Sequence, residues 1–128
     1  MKRKYLDDLG VKKRWDQIND EREKRWKKQR ETYSFDDRET WNLDSAFYEW
    51  LYERLMMYKE IGGKIVNLDS GKFEYGGKIY SQAELIDEML KRLEFNFSDK
   101  YNDWEEDQYK YVHEIEKMWA VVLPAMWW

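Results

Sequence analysis

The amino-acid sequence predicts a mainly α-helical domain of the α+β class, with a short antiparallel β-meander inserted between its central and third helices. Three observations support this class. A broad apolar stripe runs from Trp41 to Glu60, three short segments with β-forming composition occupy positions 64–80, and a capping box at Ser81 opens another amphipathic stretch. At 128 residues, the chain is long enough to bury a hydrophobic core in one domain.

Residues 1–31 are predicted to form a basic, helical arm that precedes a compact domain at residues 32–128. Positions 1–30 hold 12 Lys and Arg against 6 Asp and Glu, whereas the rest of the chain is acidic. The apolar positions of the arm form a stripe too thin to hold a helix by itself. We therefore expect Trp15 and Trp26 to contact a partner protein or a second copy of the chain, because Trp is favoured at interfaces. Acidic residues among the basic ones disfavour nucleic acid as the partner.

The stretch from residue 41 to residue 60 is predicted to be the central helix of the domain. Apolar residues recur at helical spacing along one broad face and along a narrower stripe beside it. The broad face consists of Leu43, Phe47, Trp50, Leu51, Leu55 and Tyr58. The narrower stripe consists of Tyr48, Tyr52 and Met56. A helix with this much apolar surface needs to be covered on more than one side.

Glycines mark the end of the central helix and separate the predicted strands. Gly62 and Gly63 suit a helix C-terminus, and the three predicted strands are residues 64–67, 72–75 and 78–80. A two-residue Gly76-Gly77 link between the last two segments is typical of a tight hairpin.

Two further helices are predicted after the meander. Ser81 and Glu84 form a capping box at the first, and Asn102 with Glu105 marks the start of the second. Pro124 ends the second helix and leaves a tail that contains Trp127 and Trp128. These two residues either pack into the core of the domain or bind a partner, because Trp is favoured in both settings.

The residue inventory offers little for catalysis. The chain has no cysteine and a single histidine, His113, which excludes disulfides, thiolate sites and multi-histidine metal sites within one chain. No cofactor is expected. The remaining candidates are five carboxylates on the central and third helices that could hold Mg²⁺ for nucleotide hydrolysis. They are Glu49, Glu53, Glu84, Asp87 and Glu88.

Those carboxylates match a small all-α nucleotide pyrophosphatase only in part. Residues 84–87 reproduce the ExxD element of such enzymes, but the central helix offers an ExxxE spacing in place of ExxE. The same carboxylates are equally consistent with helix faces that are exposed to solvent.

No stretch resembles a signal peptide or is apolar enough to span a bilayer, so we expect a cytoplasmic protein without membrane contact.

Three runs of sequence carry a resemblance to a known group of proteins: TYSFDDRETWNLDSAFYEWLYERLMMYKE, KFEYGGKIYSQAELIDEML and VLPAMWW. Together they resemble a family of small uncharacterised proteins encoded by tailed phages and prophages of Gram-positive bacteria. The similarity extends from about residue 25 to the C-terminus, and the WNLD element with the LPAMWW ending is its most specific part. The resemblance implies the cytoplasm of an infected bacterial host and implies no catalytic residues.

We therefore predict a phage-encoded binding protein that does not catalyse a reaction. Its partner would be a host or phage protein, or a further copy of the chain in a homo-oligomer. Stoichiometric inhibition of a host defence factor, in the manner of an anti-CRISPR protein, or of a housekeeping factor is the expected action. The alternatives are a structural component of the virion or its assembly, and the Mg²⁺-dependent pyrophosphatase described above.

Overall fold

The computed structural model describes residues 2–13 and 20–127 of the chain. In these residues, five α-helices and a two-stranded antiparallel sheet confirm the mainly α class. The helices are α1 (Lys4–Leu9), α2 (Asp20–Tyr33), α3 (Leu43–Glu60), α4 (Gln82–Phe97) and α5 (Glu106–Val122). The strands are β1 (Phe73–Tyr75) and β2 (Lys78–Tyr80). Short 3₁₀ helices cover Asp37–Thr40, Gly62–Lys64 and Leu123–Ala125.

The chain divides into two compact units, Met1–Leu51 and Tyr52–Trp128. The sequence placed the boundary after residue 31, so the division falls later than predicted. The physical reason is that Trp26 of the basic segment bonds and packs against residues 37–41. The described residues of the predicted arm, 2–13 and 20–31, therefore lie in the first unit.

Each of the first two helices contributes an apolar side chain that is almost completely buried. Leu6 of α1 and Trp26 of α2 are each 1 % exposed. Gly10 ends α1 in a left-handed conformation with φ of 85°, and its N–H bonds to the carbonyls of Asp7 and Leu6. A residue with a Cβ is strained at this φ, which explains the glycine at the helix end.

The buried side of α3 differs from the predicted face. Tyr48, Leu51, Tyr52 and Leu55 are at most 3 % exposed, whereas Leu43 is 66 % exposed. These four positions follow an i, i+3, i+4, i+7 spacing, which is the stripe one helix side presents. The buried stripe thus combines members of the broad predicted face with members of the narrow one. Periodicity identified the helix but not the side that is covered.

The predicted β-meander is smaller than expected and is a hairpin. β1 and β2 pair with Phe73 opposite Tyr80 and Tyr75 opposite Lys78. Gly76 and Gly77 connect them with φ of 59° and 81°, as a tight hairpin turn requires. The first predicted strand, residues 64–67, is wrong: the chain there leaves a 3₁₀ helix and bends without joining the sheet.

Helices α4 and α5 supply most of the core of the second unit. The capping box at Ser81 and Glu84 is present as predicted. The buried residues of α4 are Gln82, Leu85, Ile86, Met89, Leu90 and Leu93. Those of α5 are Val112, Ile115, Met118 and Val122. Each set recurs at helical spacing, so the two helices pack along their apolar sides.

Candidate partner-binding surface

We define the C-terminal tail as residues 123–127, which follow α5 directly. Pro124 cannot continue an α-helix, and the chain makes a 3₁₀ turn in which the Met126 N–H bonds to the Leu123 carbonyl at 3.0 Å. The turn redirects the backbone after α5. The tail is consequently an ordered extension of the second unit.

A chain of polar contacts holds the tail backbone. The Tyr58 hydroxyl donates to Gln82 Oε1 at 2.8 Å, and Gln82 Nε2 donates to the Ala125 carbonyl at 3.3 Å. Gln82 is 8 % exposed, so leaving either end of its amide unbonded would be costly. Burial raises the pKa of Tyr58, and a hydrogen bond from the Trp127 backbone opposes that rise. The hydroxyl therefore stays protonated and able to donate at neutral pH.

The side chains of the tail are far more exposed than its backbone contacts suggest. Trp127 is 75 % exposed and Leu123 is 45 % exposed. The interpretation in which Trp127 packs into the core is therefore wrong, and its interpretation as a partner-binding residue remains open. Trp128 lies outside the described residues.

The structure describes only one of the two Trp residues that the basic segment was predicted to use for partner contact. Trp15 lies outside the described residues. Trp26 is buried: its Nε1 donates to Asp37 Oδ1 at 3.0 Å, and the Arg38 guanidinium lies 4.1 Å from its ring centre. Trp41 contacts it edge to face at 6.3 Å. Trp26 is thus a core residue of the first unit in this structure, and a partner cannot reach it.

Asp36 organises the charged groups around that buried Trp. Its carboxylate accepts from the Arg38 side chain at 2.8 and 2.9 Å and from Arg30 Nη1 at 2.8 Å. The Arg38 hydrogen bonds, assisted by Arg30, lower the pKa of Asp36 to about 2. Both of its oxygens are occupied by cations of its own unit, which indicates a structural role.

The carboxylates considered for Mg²⁺ make other contacts in the second unit. Asp87 forms a 2.7 Å ion pair with Lys59 Nζ. Glu88 pairs with Arg92, and the hydrogen bond from Arg92 lowers the pKa of Glu88. Ion pairs of this kind neutralise the negative charge that a metal ion would need.

Two of the other three candidates also contact groups of their own unit. Glu84 accepts from the Ser81 N–H at 2.9 Å in the capping box, and Glu49 pairs with Arg3 at 3.5 Å. Glu53 is half-buried on α3. Within residues 2–13 and 20–127, no three Asp, Glu or His side chains are grouped so that they could hold a metal ion.

Sequence reasoning missed an exposed aromatic residue, Trp104. Trp104 lies in the turn before α5, which begins at Glu106, and its side chain is 92 % exposed. The signal was present in the sequence, because the predicted helix start at Asn102 and Glu105 already placed Trp104 among the capping residues. In the structure, Glu105 is the N-cap and accepts from the N–H groups of Asp107 and Gln108.

None of the helices in the described part of the chain has the length and apolar character that a membrane crossing requires.

No protein-family model, curated protein or solved structure matches this chain. A functional proposal therefore depends on the residues of the chain itself. The relevant feature is the exposed Trp127, whose backbone is held by Tyr58 and Gln82.

Proposed function

We propose that the protein is a non-enzymatic binding protein that contacts its partner through the C-terminal tail. The observation that carries this proposal is the 75 % exposure of Trp127 on a hydrogen-bonded backbone. Burying a large aromatic side chain in a complex removes apolar surface from water, and Trp is among the residues that contribute most to binding. A tail that is already ordered also loses less conformational entropy when it binds.

The resemblance to phage-encoded proteins supports a bacterial host protein as the partner. We propose stoichiometric inhibition of a host defence factor, in the anti-CRISPR manner, or of a housekeeping factor in the cytoplasm of the infected cell. Such inhibition needs only a surface that competes for a site on the target. It requires no catalytic group, and the carboxylates discussed above have structural partners instead.

The test is capture from infected host lysate with the full chain as bait, followed by identification and purification of the captured protein. The purified pair should form a complex of defined stoichiometry, and target activity should fall to its minimum at that ratio. Trp127→Ala should weaken capture by about tenfold or more, as expected of a central interface residue. Trp104→Ala is the matched control, because it removes another exposed Trp of the same unit.

Three results would count against this function. Equal capture by the Trp127→Ala variant would exclude the tail as the contact. Capture of a phage structural protein would favour the virion or assembly alternative. Complete loss of target activity at substoichiometric amounts of the protein would show turnover and would favour an enzyme.

A further inference from the structure

A second exposed surface lies at the start of α5, away from any contact that the binding function requires. We define the acidic aromatic surface as Phe95, Tyr101, Trp104, Asp107, Gln108 and Tyr111. Phe95, Asp107, Gln108 and Tyr111 line a shallow, mainly apolar groove. The Phe95 ring contacts Tyr111 edge to face at 5.5 Å and Tyr101 at 5.7 Å.

Trp104 stands beside this groove in a turn of defined geometry. Its N–H donates to Asn102 Oδ1 at 3.1 Å, and the Asn102 N–H donates to Gln108 Oε1 at 2.7 Å. The side chain is 92 % exposed, so these bonds hold the backbone while the ring remains in solvent. The turn that carries this exposed ring is thus hydrogen-bonded to Gln108, one of the residues that line the groove.

The charge around this surface specifies the chemistry of what binds there. Residues 99–107 hold five carboxylates and one lysine. Aromatic rings and carboxylates together attract Lys and Arg, through cation–π contacts and ion pairs. The surface already shows one such contact, since the Arg92 guanidinium lies 4.5 Å from the Tyr111 ring centre. The occupant is expected to be a basic segment.

The chain itself carries a basic segment of matching charge. Residues 21–30 of α2 hold six Lys and Arg against two Glu, so their excess of positive charge equals the excess of negative charge at residues 99–107. Lys24, Lys27 and Lys28 are exposed. Since a helix turns about 100° per residue, Lys24 and Lys28 lie on the side opposite the buried Trp26, and Lys27 lies beside Lys24. The packing of Trp26 therefore turns the lysines towards solvent.

We infer that the acidic aromatic surface binds the lysine side of α2 from a second copy of this chain. Each copy carries both halves of the contact, so a two-fold dimer makes the contact twice and doubles the buried area. The contact between one side of a helix and one turn buries less area than a standard protein–protein interface. The dimer should therefore be weak and sensitive to salt.

The test is sedimentation of the full chain from about 1 µM to about 1 mM, the range in which interfaces below standard size dissociate. We expect a dimer whose fraction rises with protein concentration and falls when salt increases from about 0.1 M to about 1 M. Trp104→Ala should weaken dimerisation by about tenfold or more. Trp127→Ala should leave it unchanged.

Charge reversal separates this contact from general electrostatic attraction. A helix variant with Lys24, Lys27 and Lys28 changed to Glu should be monomeric. So should a turn variant with Asp99, Asp103 and Glu106 changed to Lys, because it reverses the excess of negative charge at residues 99–107. Mixed together, the two variants should form a heterodimer, because both of its contacts then join opposite charges. Changing Lys64, Lys72 and Lys78 to Glu alters the charge equally elsewhere and should leave the dimer intact.

Several outcomes would overturn the inference. One is a chain that stays monomeric throughout the concentration range. Another is a dimer that survives both Trp104→Ala and the helix charge reversal. Failure of the two charge variants to associate when mixed would likewise exclude the contact, and a dimer lost only with Trp127→Ala would show that the tail forms the interface.

Discussion

The indole N–H of Trp26 donates to the Asp37 carboxylate across 3.0 Å, joining α2 to the 3₁₀ helix at Asp37–Thr40. The ring is 1 % exposed, so its N–H has little access to water. A buried N–H left without an acceptor would cost more than the bond contributes when it is made. The pair therefore ties the basic segment to the rest of its unit.

Trp26→Ala is expected to destabilise the first unit by about 3–5 kcal/mol, because it leaves a cavity and removes one hydrogen bond to Asp37. Trp26→Phe keeps most of the ring and should cost less. Urea unfolding followed by circular dichroism measures both. Exposed Trp104→Ala is the control and should change stability by less than about 0.5 kcal/mol. If Trp26→Ala is no more destabilising than this control, the ring is not buried in solution.

Asp36 should make the first unit sensitive to acid. Its folded-state pKa is lowered to about 2, below the ordinary value of 3.8, so its contribution is present above about pH 4 and is lost as the pH falls towards 2. The shift corresponds to a contribution on the order of 2 kcal/mol. Urea unfolding of the wild type and Asp36→Asn at several pH values measures it. The stability gap between them should be largest near neutral pH and shrink below pH 4, and a constant gap would contradict the assignment.

Tyr58→Phe should loosen the C-terminal tail while preserving the fold. The change removes the donor to Gln82 Oε1 and should cost about 1 kcal/mol of unfolding free energy. Backbone amide exchange at residues 125–127 should become faster, since the Gln82 contact to Ala125 loses its support. Tyr109→Phe on the exposed side of α5 is the matched control. Unchanged exchange in the tail would show that the Tyr58 contact does not order it.

Mg²⁺ is expected to leave the melting temperature of the protein unchanged. Asp87 and Glu88 are paired with Lys59 and Arg92, and stabilisation by a ligand requires that it bind the folded state. Calorimetry with and without millimolar Mg²⁺ provides the measurement. Hydrolysis of a nucleoside triphosphate that disappears in a Glu53→Gln, Asp87→Asn double variant would reverse this conclusion in favour of the pyrophosphatase alternative.

Sequence patterns were sufficient to predict the elements that depend on neighbouring residues. The capping box at Ser81 and Glu84, the Gly76-Gly77 turn and the stop at Pro124 each depend on residues a few positions apart. Backbone conformation at such points follows from short-range sterics and hydrogen bonds, which adjacent residues specify. Residues 64–67 were wrongly predicted to be a strand because a strand also needs a neighbouring strand to pair with. The composition of the segment does not show whether such a strand is available.

The burial of the aromatic side chains could not be predicted from sequence patterns. Trp26 and Trp127 are the same residue type near opposite ends of the chain, yet one is 1 % exposed and the other 75 % exposed. Burial depends on residues distant in sequence, such as Asp37 and Arg38 around Trp26. The apolar periodicity of a sequence describes one helix at a time, so it does not predict contacts with residues outside that helix. The basic segment predicted to reach a partner is therefore held by its own unit, while the tail presents its Trp to solvent.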